Sequence, residues 1–274
     1  MKVGARMYHL CLWTAFASML AISLATAAAD DEPAPVDQPA IPFADQYEAR
    51  IYMPYRLLKP KDYDPNRAYP LVLFLHGMGE RGSDNSLQLI NGVSEFFANE
   101  QARAKHTCFA VIPQCPADDT WANWNDRTSG LTRPARAALD IVAALQKEFS
   151  IDPARLYIGG LSMGGFGTWD IIAAHPDIFA AAFPICGGGD PAQAARLVNI
   201  PIWAFHGAED NVVKPDQSRR MIKAIQDAGG QPKYTEYPGV GHDSWTNAFH
   251  EPGLLDWLFA QNLPSAAASG PAGK

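Results

Sequence analysis

Ser162 sits at the centre of Gly160-Leu161-Ser162-Met163-Gly164, and the runs on either side give it chemical meaning. Arg155-Leu156-Tyr157-Ile158-Gly159 is apolar and partly β-branched, which predicts a strand. Residues 166–174 are apolar at helical spacing and stop at His175-Pro176, which predicts a helix. A serine on such a strand-to-helix turn has its hydroxyl pushed out at the end of the sheet. The flanking glycines suit a turn too sharp for a Cβ. The chemistry this permits is nucleophilic attack on an acyl carbon. A serine hydroxyl is competent only when a base within hydrogen-bond reach takes its proton and an acid orients that base.

Four histidines follow the serine: His175, His206, His242 and His250. His175 ends the helix after the serine, His206 closes a strand, and His250 lies in the last helical region. His242 lies in Pro238-Gly239-Val240-Gly241-His242-Asp243, a Gly-rich loop after the final strand, and is read as the base. On a turn of this kind the partners follow in the order serine, acid, histidine. The acid is therefore sought in His206-Gly207-Ala208-Glu209-Asp210. Asp210 is preferred because it stands deeper in the turn, ahead of Val212-Val213. Glu209 is the alternative.

Attack on an acyl carbon also places negative charge on the former carbonyl oxygen, and backbone N–H groups must meet it. The N–H of Met163, next after the serine, is one. The loop His76-Gly77-Met78-Gly79-Glu80-Arg81-Gly82 offers the second, from Met78. His76 precedes the serine and is passed over as a metal ligand or second base. Glu80 and Arg81 are read as an ion pair that fixes the loop. This chemistry calls for no metal and no cofactor.

These groups need a scaffold. Residues 47–58 alternate like one early strand. Leu71-Val72-Leu73-Phe74-Leu75 is a continuous apolar run, as in a buried parallel strand. Helix is expected over 92–103, strand over 108–112, helix over 132–149, and strand over 156–159 leading to Ser162. Strands over 180–185 and 202–205, a helix over 218–228, a strand over 233–237 and a closing helix over 245–261 complete the pattern. Strands alternating with amphipathic helices imply an α/β fold, a mostly parallel sheet with helices on both faces. Such sheets build their sites in loops at the carboxyl ends of strands.

The 274 residues carry 22 Lys and Arg against 29 Asp and Glu, a net charge of −7. Residues 1–29 have a basic start at Lys2 and Arg6, an uncharged apolar stretch over 10–24, and Ala27-Ala28-Ala29 before Asp30. They read as a secretory signal, which implies a secreted or periplasmic protein. The apolar stretch is short for a membrane span, and after removal of the signal no stable membrane insertion is expected. Removal takes the basic count from 22 to 20 against 29 acids, a net charge of −9. That balance argues against nucleic acid as a partner. Residues 30–45 form a Pro-rich leader, 46–262 the folded domain, and 263–274 a disordered tail. Cys108, Cys115 and Cys186 would remain, an odd number that leaves at least one free thiol; one bridge is possible, between a pair the sequence does not fix.

Taken together, several segments resemble one superfamily. They are Tyr69-Pro70-Leu71-Val72-Leu73-Phe74-Leu75-His76-Gly77, Gly79-Glu80-Arg81-Gly82, Pro113-Gln114-Cys115-Pro116, Gly160-Leu161-Ser162-Met163-Gly164-Gly165, Trp203-Ala204-Phe205-His206-Gly207 with Asp210, and Gly241-His242. Over about residues 46–262 the chain is similar to α/β-hydrolases, within them to the dienelactone-hydrolase and prolyl-oligopeptidase-like group. That group includes secreted carboxylesterases and relatives of feruloyl and polyhydroxybutyrate esterases. The resemblance implies an α/β-hydrolase fold and puts the family's triad on Ser162, Asp210 and His242. The chain departs from dienelactone hydrolase proper, whose nucleophile is cysteine, and it lacks the β-propeller of prolyl oligopeptidase.

The implied activity is hydrolysis of a carboxylic ester, on a small-molecule or carbohydrate-linked substrate, through an acyl-enzyme. A serine peptidase of prolyl-oligopeptidase-like type and a non-catalytic polysaccharide-binding module on a hydrolase scaffold are the alternatives, with a metallohydrolase using His76, His206 and His242 a distant further one. Residues 114–130 form the longest internal loop and carry Trp121, Asn123, Trp124 and Asn125. Trp121 and Trp124 either stack on substrate or cover the sheet edge, and Trp245 is a candidate wall of the same pocket. The connection over 186–200 is too short for a large lid.

Overall fold

The computed structural model describes residues 47–264 apart from 51, 52, 125, 127 and 128. The signal, the leader, Asn125 and all of the expected tail beyond residue 264 lie outside the described residues.

Among the described residues, eight strands form one sheet: β1 Tyr47–Arg50, β2 Tyr55–Leu58, β3 Tyr69–Leu75, β4 Phe109–Pro113, β5 Ile151–Leu161, β6 Ala181–Ile185, β7 Trp203–Gly207 and β8 Lys233–Tyr237. Their order is β1-β2-β4-β3-β5-β6-β7-β8. The pairs β1–β2 and β2–β4 are antiparallel, and all the others are parallel. From β3 the chain passes to β4 on one side and then returns to β5 on the other. The carboxyl ends of β3 and β5 therefore lie side by side, with Leu75 paired to Gly160. Crevices form where strand order reverses in this way.

Alternation along the strands divides the core. Leu71, Leu73 and Leu75 of β3 pack in one cluster with Ile158, while Val72 and Phe74 pack in another with Tyr157 and Leu161. Both faces of β3 are buried, which is why it reads as an unbroken apolar run. Helix α3, Arg133–Glu148, turns Ala135, Ala138, Ile141, Val142 and Leu145 into the first cluster. Its start is set by Thr132, whose hydroxyl accepts from Ala135 N, and by Pro134 in the first turn. Helix α4, Met163–Ala174, follows Ser162 directly, and α5, Asp216–Asp227, follows the loop after β7.

Three expected elements divide in two. Residues 47–58 form the hairpin of β1 and β2, because Pro54 in the connection has no N–H to continue a ladder. The helix expected over 92–103 is α1, Val93–Ala98, and α2, Glu100–Lys105. Asn99 between them is extended, and its side chain caps α2 by accepting from Ala102 N. The closing helix is α6, Trp245–Phe249, and α7, Leu254–Phe259, interrupted at Pro252. The tail also begins later than expected: Leu263 N donates to Ala154 O at 2.9 Å, and the side chain packs on the second cluster. Cys108, Cys115 and Cys186 are all free and buried, so none of the three is bridged to another.

Candidate active site

Ser162 stands between β5 and α4 with φ 52° and ψ −115°, a strained conformation for a non-glycine residue. Its N–H is held by Ile185 O at 2.9 Å. The flanking glycines are there for close approach. A Cβ on Gly160 would meet Gly164 O at 2.5 Å, and one on Gly164 would overlap the Leu75 carbonyl. The turn thus presses α4 against the end of β3.

His242 reaches the serine from the loop after β8. Its Nε2 lies 2.9 Å from Ser162 Oγ, and its Nδ1 lies 2.7 Å from Asp210 Oδ2. The carboxylate only accepts, so Nδ1 carries a proton and Nε2 is left to accept from the serine hydroxyl. Asp210 comes from the loop after β7, and its side chain is wholly buried. Its Oδ1 accepts from Val212 N at 2.8 Å and Val213 N at 2.9 Å. Of the two neighbouring acids, Asp210 faces the imidazole, and Glu209 lies beside it in the turn without reaching the ring.

The ligand atoms of Cys186, Asp210 and His242 all lie within 4.8 Å of one another. Burial pushes the Cys186 thiol far above the usual cysteine range, so it stays protonated. Asp210 and His242 are already committed to each other.

Met163 opens α4, and Met78 opens a 3-10 turn over Met78–Glu80 at the end of β3. The loop carrying Met78 passes close to Ser162: a Cβ on Gly77 would lie 3.7 Å from Ser162 Cβ. His76 holds this loop. Its Nδ1 donates to Gly77 O at 2.6 Å, and its Nε2 accepts from Cys115 N at 2.9 Å. A planar trans peptide points its N–H opposite its C=O. Pinning the Gly77 carbonyl therefore directs the Met78 N–H away from His76. The two contacts fix His76 as the neutral Nδ1–H tautomer, and burial lowers its pKa to about 4. Sequence reasoning passed over His76 because both its partners are backbone atoms.

The expected Glu80–Arg81 ion pair does not form. Glu80 is buried, and its Oε1 accepts from Asn91 Nδ2 at 3.0 Å. Burial raises its pKa, which favours the neutral acid. Arg81 donates instead to Met78 O and Asp119 O. Gln114 completes the scaffold by donating to Glu80 O and Asp84 Oδ2 and accepting from Asn85 N.

The tryptophans separate. Trp121 is fully buried, its Nε1 donates to His76 O at 3.1 Å, and its ring meets His76 edge-on at 5.3 Å. A ring with no exposed surface cannot stack on a ligand, so the expectation of substrate contact at Trp121 is corrected: it is packing under the Met78 loop. Trp124 is 36 % exposed and lies edge-on to Phe166, 5.4 Å away, at the start of α4. Trp245 is half-buried and lies edge-on to His242 at 5.5 Å. A cavity of about 1050 Å³ opens to one side of Ser162 and His242, lined by Asn91, Phe96, Asp243, Trp245 and Phe249 among others. Neither Ser162 nor His242 lines it; Asp243, next in the chain to His242, and Trp245, against its ring, connect it to His242.

Comparison with known proteins places this geometry in a family. The dienelactone hydrolase family model matches residues 114–252, which hold Ser162, Asp210 and His242. An uncharacterized secreted protein of Arthroderma benhamiae is 26 % identical over 257 residues, 77 % of this chain and 27 % of its own length. A bifunctional acetylxylan esterase/xylanase of Neocallimastix patriciarum is 29 % identical over 170 residues, 61 % of this chain and 23 % of its own. The chain thus spans about a quarter of the length of these two relatives. The crystal structure of a thermostable esterase superposes with a TM-score of 0.77 at 41 % identity, over 80 % of this chain and 64 % of that one. No helix among the described residues is long and apolar enough to cross a membrane. By its matched segment, its α/β-hydrolase fold and the positions of its candidate residues, the chain belongs to the dienelactone hydrolase family.

Proposed function

We propose that this chain is a secreted serine carboxylic-ester hydrolase, with Ser162 as nucleophile, His242 as base and Asp210 as the orienting acid. The observation that carries the reading is the hydrogen-bonded line Ser162 Oγ to His242 Nε2 and His242 Nδ1 to Asp210 Oδ2, at 2.9 and 2.7 Å. These lengths suit proton transfer without rearrangement.

In this reading Ser162 Oγ attacks the ester carbonyl as its proton passes to His242 Nε2. The carbonyl oxygen becomes an oxyanion facing the Met163 and Met78 N–H groups. The C–O bond to the alcohol then breaks, and His242 gives its proton to the leaving oxygen. Water attacks the acyl-serine while His242 takes its proton, and the acid departs as Ser162 recovers its hydrogen. Asp210 keeps its charge throughout and stabilises the imidazolium.

The substrate is proposed to be an aryl, acetyl, feruloyl or carbohydrate-linked ester. The esterase named in the Neocallimastix relative supports the class, and the cavity beside Trp245 offers room for a bulky group. The folded domain is proposed to run from residue 46 to the end of the closing helices, behind a cleaved signal. Purified protein tests the reading on aryl acetates, feruloyl esters and acetylated xylo-oligosaccharides set against peptide amides. Ester turnover that survives chelator is expected. Turnover of amides alone, or activity abolished by chelator, contradicts it.

A further inference from the structure

Asp210 serves two imidazoles. Its Oδ2 lies 2.7 Å from His242 Nδ1 and 3.3 Å from His206 Nε2. His206 is wholly buried in β7. Its Nε2 also lies 2.9 Å from Val213 O, and its Nδ1 lies 2.7 Å from Ser218 Oγ on α5. A carbonyl and a carboxylate only accept, so Nε2 must carry a proton. Ser218 is the adaptable partner, because its hydroxyl also lies 3.0 Å from Gly187 O in the loop after β6. Its single proton serves either Nδ1 of a neutral ring or Gly187 O beside a protonated one.

We propose that His206 is a positioning residue for the base: its Nε2–H shares Asp210 Oδ2 with His242 and sets how strongly that carboxylate stabilises the imidazolium. The inference rests on reading His242 as the base.

The groups that face His206 are few. From its own loop come Asp210 and the Val213 carbonyl, from α5 Ser218, and from the loop after β8 His242. Glu236 on β8 adds a more distant negative charge, held low by the Arg219 guanidinium at 2.6 Å. Cys186, beside Asp210, is a neutral thiol. Burial outweighs the contacts that favour the cation and lowers the pKa of His206. Near neutral pH the ring is therefore the neutral Nε2–H tautomer, which gives Asp210 a donor without a second positive charge.

A donor on Oδ2 spreads the charge that His242 would otherwise receive alone. Removing it leaves a stronger partner for the imidazolium, so the base needs a higher pH to lose its proton. The expected readout is an upward displacement of the acid-side midpoint of the rate profile. Packing alone would lower the rate without moving the midpoint.

The test is the pH dependence of kcat/KM for His206→Leu and His206→Gln. Leucine removes the donor, whereas the glutamine amide can replace Nε2–H. The acid-side midpoint is expected to rise in His206→Leu and to return to the wild-type position in His206→Gln. Unmoved midpoints in both variants, with equal loss at every pH, overturn the inference. Nitrogen NMR on the full-length Ser162→Ala protein gives a readout that needs neither turnover nor a folded leucine variant. A proton on His206 Nε2 supports the inference, and an Nδ1–H tautomer overturns it. Failure of the nucleophile assignment would appear separately, as turnover persisting in Ser162→Ala.

Discussion

The Trp121 indole donates to the main-chain carbonyl of His76 at 3.1 Å, and His76 in turn donates to the carbonyl of Gly77 at 2.6 Å. A buried aromatic ring is thereby joined, through one histidine, to the peptide that presents Met78 N–H. Trp121→Phe keeps most of the ring but strands the His76 carbonyl, at a cost of about 1–3 kcal/mol. Trp121→Ala also empties a large buried site, at about 3–5 kcal/mol. Urea melts measure both. Because the ring is fully buried, kcat/KM should fall by the same factor for small acetates and bulky aryl esters. A selective loss on bulky esters would return Trp121 to the binding surface.

Trp124 and Trp245 behave differently, since each keeps exposed surface, Trp124 beside Phe166 and Trp245 beside His242. Replacing either with alanine should raise KM for aryl or glycosyl esters about tenfold, as expected for a ring contact worth roughly 1–2 kcal/mol. Methyl or ethyl acetates are the control, being too small to reach either ring. Steady-state kinetics on the two substrate sizes decides the matter, and parallel losses would make the rings structural.

The candidate site residues were far more legible in the sequence than the support beneath them. Ser162, Asp210 and His242 stand in Gly-bearing turns at the ends of apolar runs, where local pattern and chain order suffice to pick them out. The structure brings those three side chains together. The buried strands were equally readable, because both faces of β3 and β4 are covered and the runs are unbroken. The hairpin at Pro54 and the interruption at Pro252 carried a signal, but hydrophobic periodicity runs across both and masks it. Trp121 and Trp124 lie three residues apart in an irregular loop, and no period assigns one inward and the other outward. His76 and His206 act through backbone groups, a serine and a shared carboxylate, and neither a main-chain partner nor a shared oxygen leaves a mark in side-chain pattern.

His76 ties the Met78 loop to pH. Its pKa falls from 6.5 to about 4 on folding, so the unfolded chain binds the proton more readily. Its neutral form supports the fold fully above pH 6.5, and that support is lost as pH falls towards 4. The loss approaches about 3 kcal/mol. Thermal melts from pH 7 to 4 should therefore fall more steeply for the wild type than for His76→Gln. Equal slopes would show that His76 is not the buried neutral group described here. Independently of pH, His76→Gln should lower kcat more than it raises KM, because it frees the peptide proposed to meet the oxyanion.

Asp210→Asn should reduce kcat about 10⁴-fold at neutral pH, since an amide no longer enforces the Nδ1–H tautomer of His242. Glu209→Gln should stay within about twofold of the wild type, as expected for a change that removes no contact to the ring. Initial rates on one aryl ester compare the two. The reverse ranking would move the acid to Glu209.

The nucleophile is tested most directly by labelling with a fluorophosphonate followed by intact and peptide mass spectrometry, run beside turnover of an aryl acetate. The prediction is one phosphonate per chain, on the peptide holding Ser162. In Ser162→Ala both the label and the turnover should be lost, with kcat reduced by about 10⁶. A label on another residue, or a Ser162→Ala protein keeping more than about a tenth of wild-type activity, would contradict the assignment of Ser162 as the nucleophile.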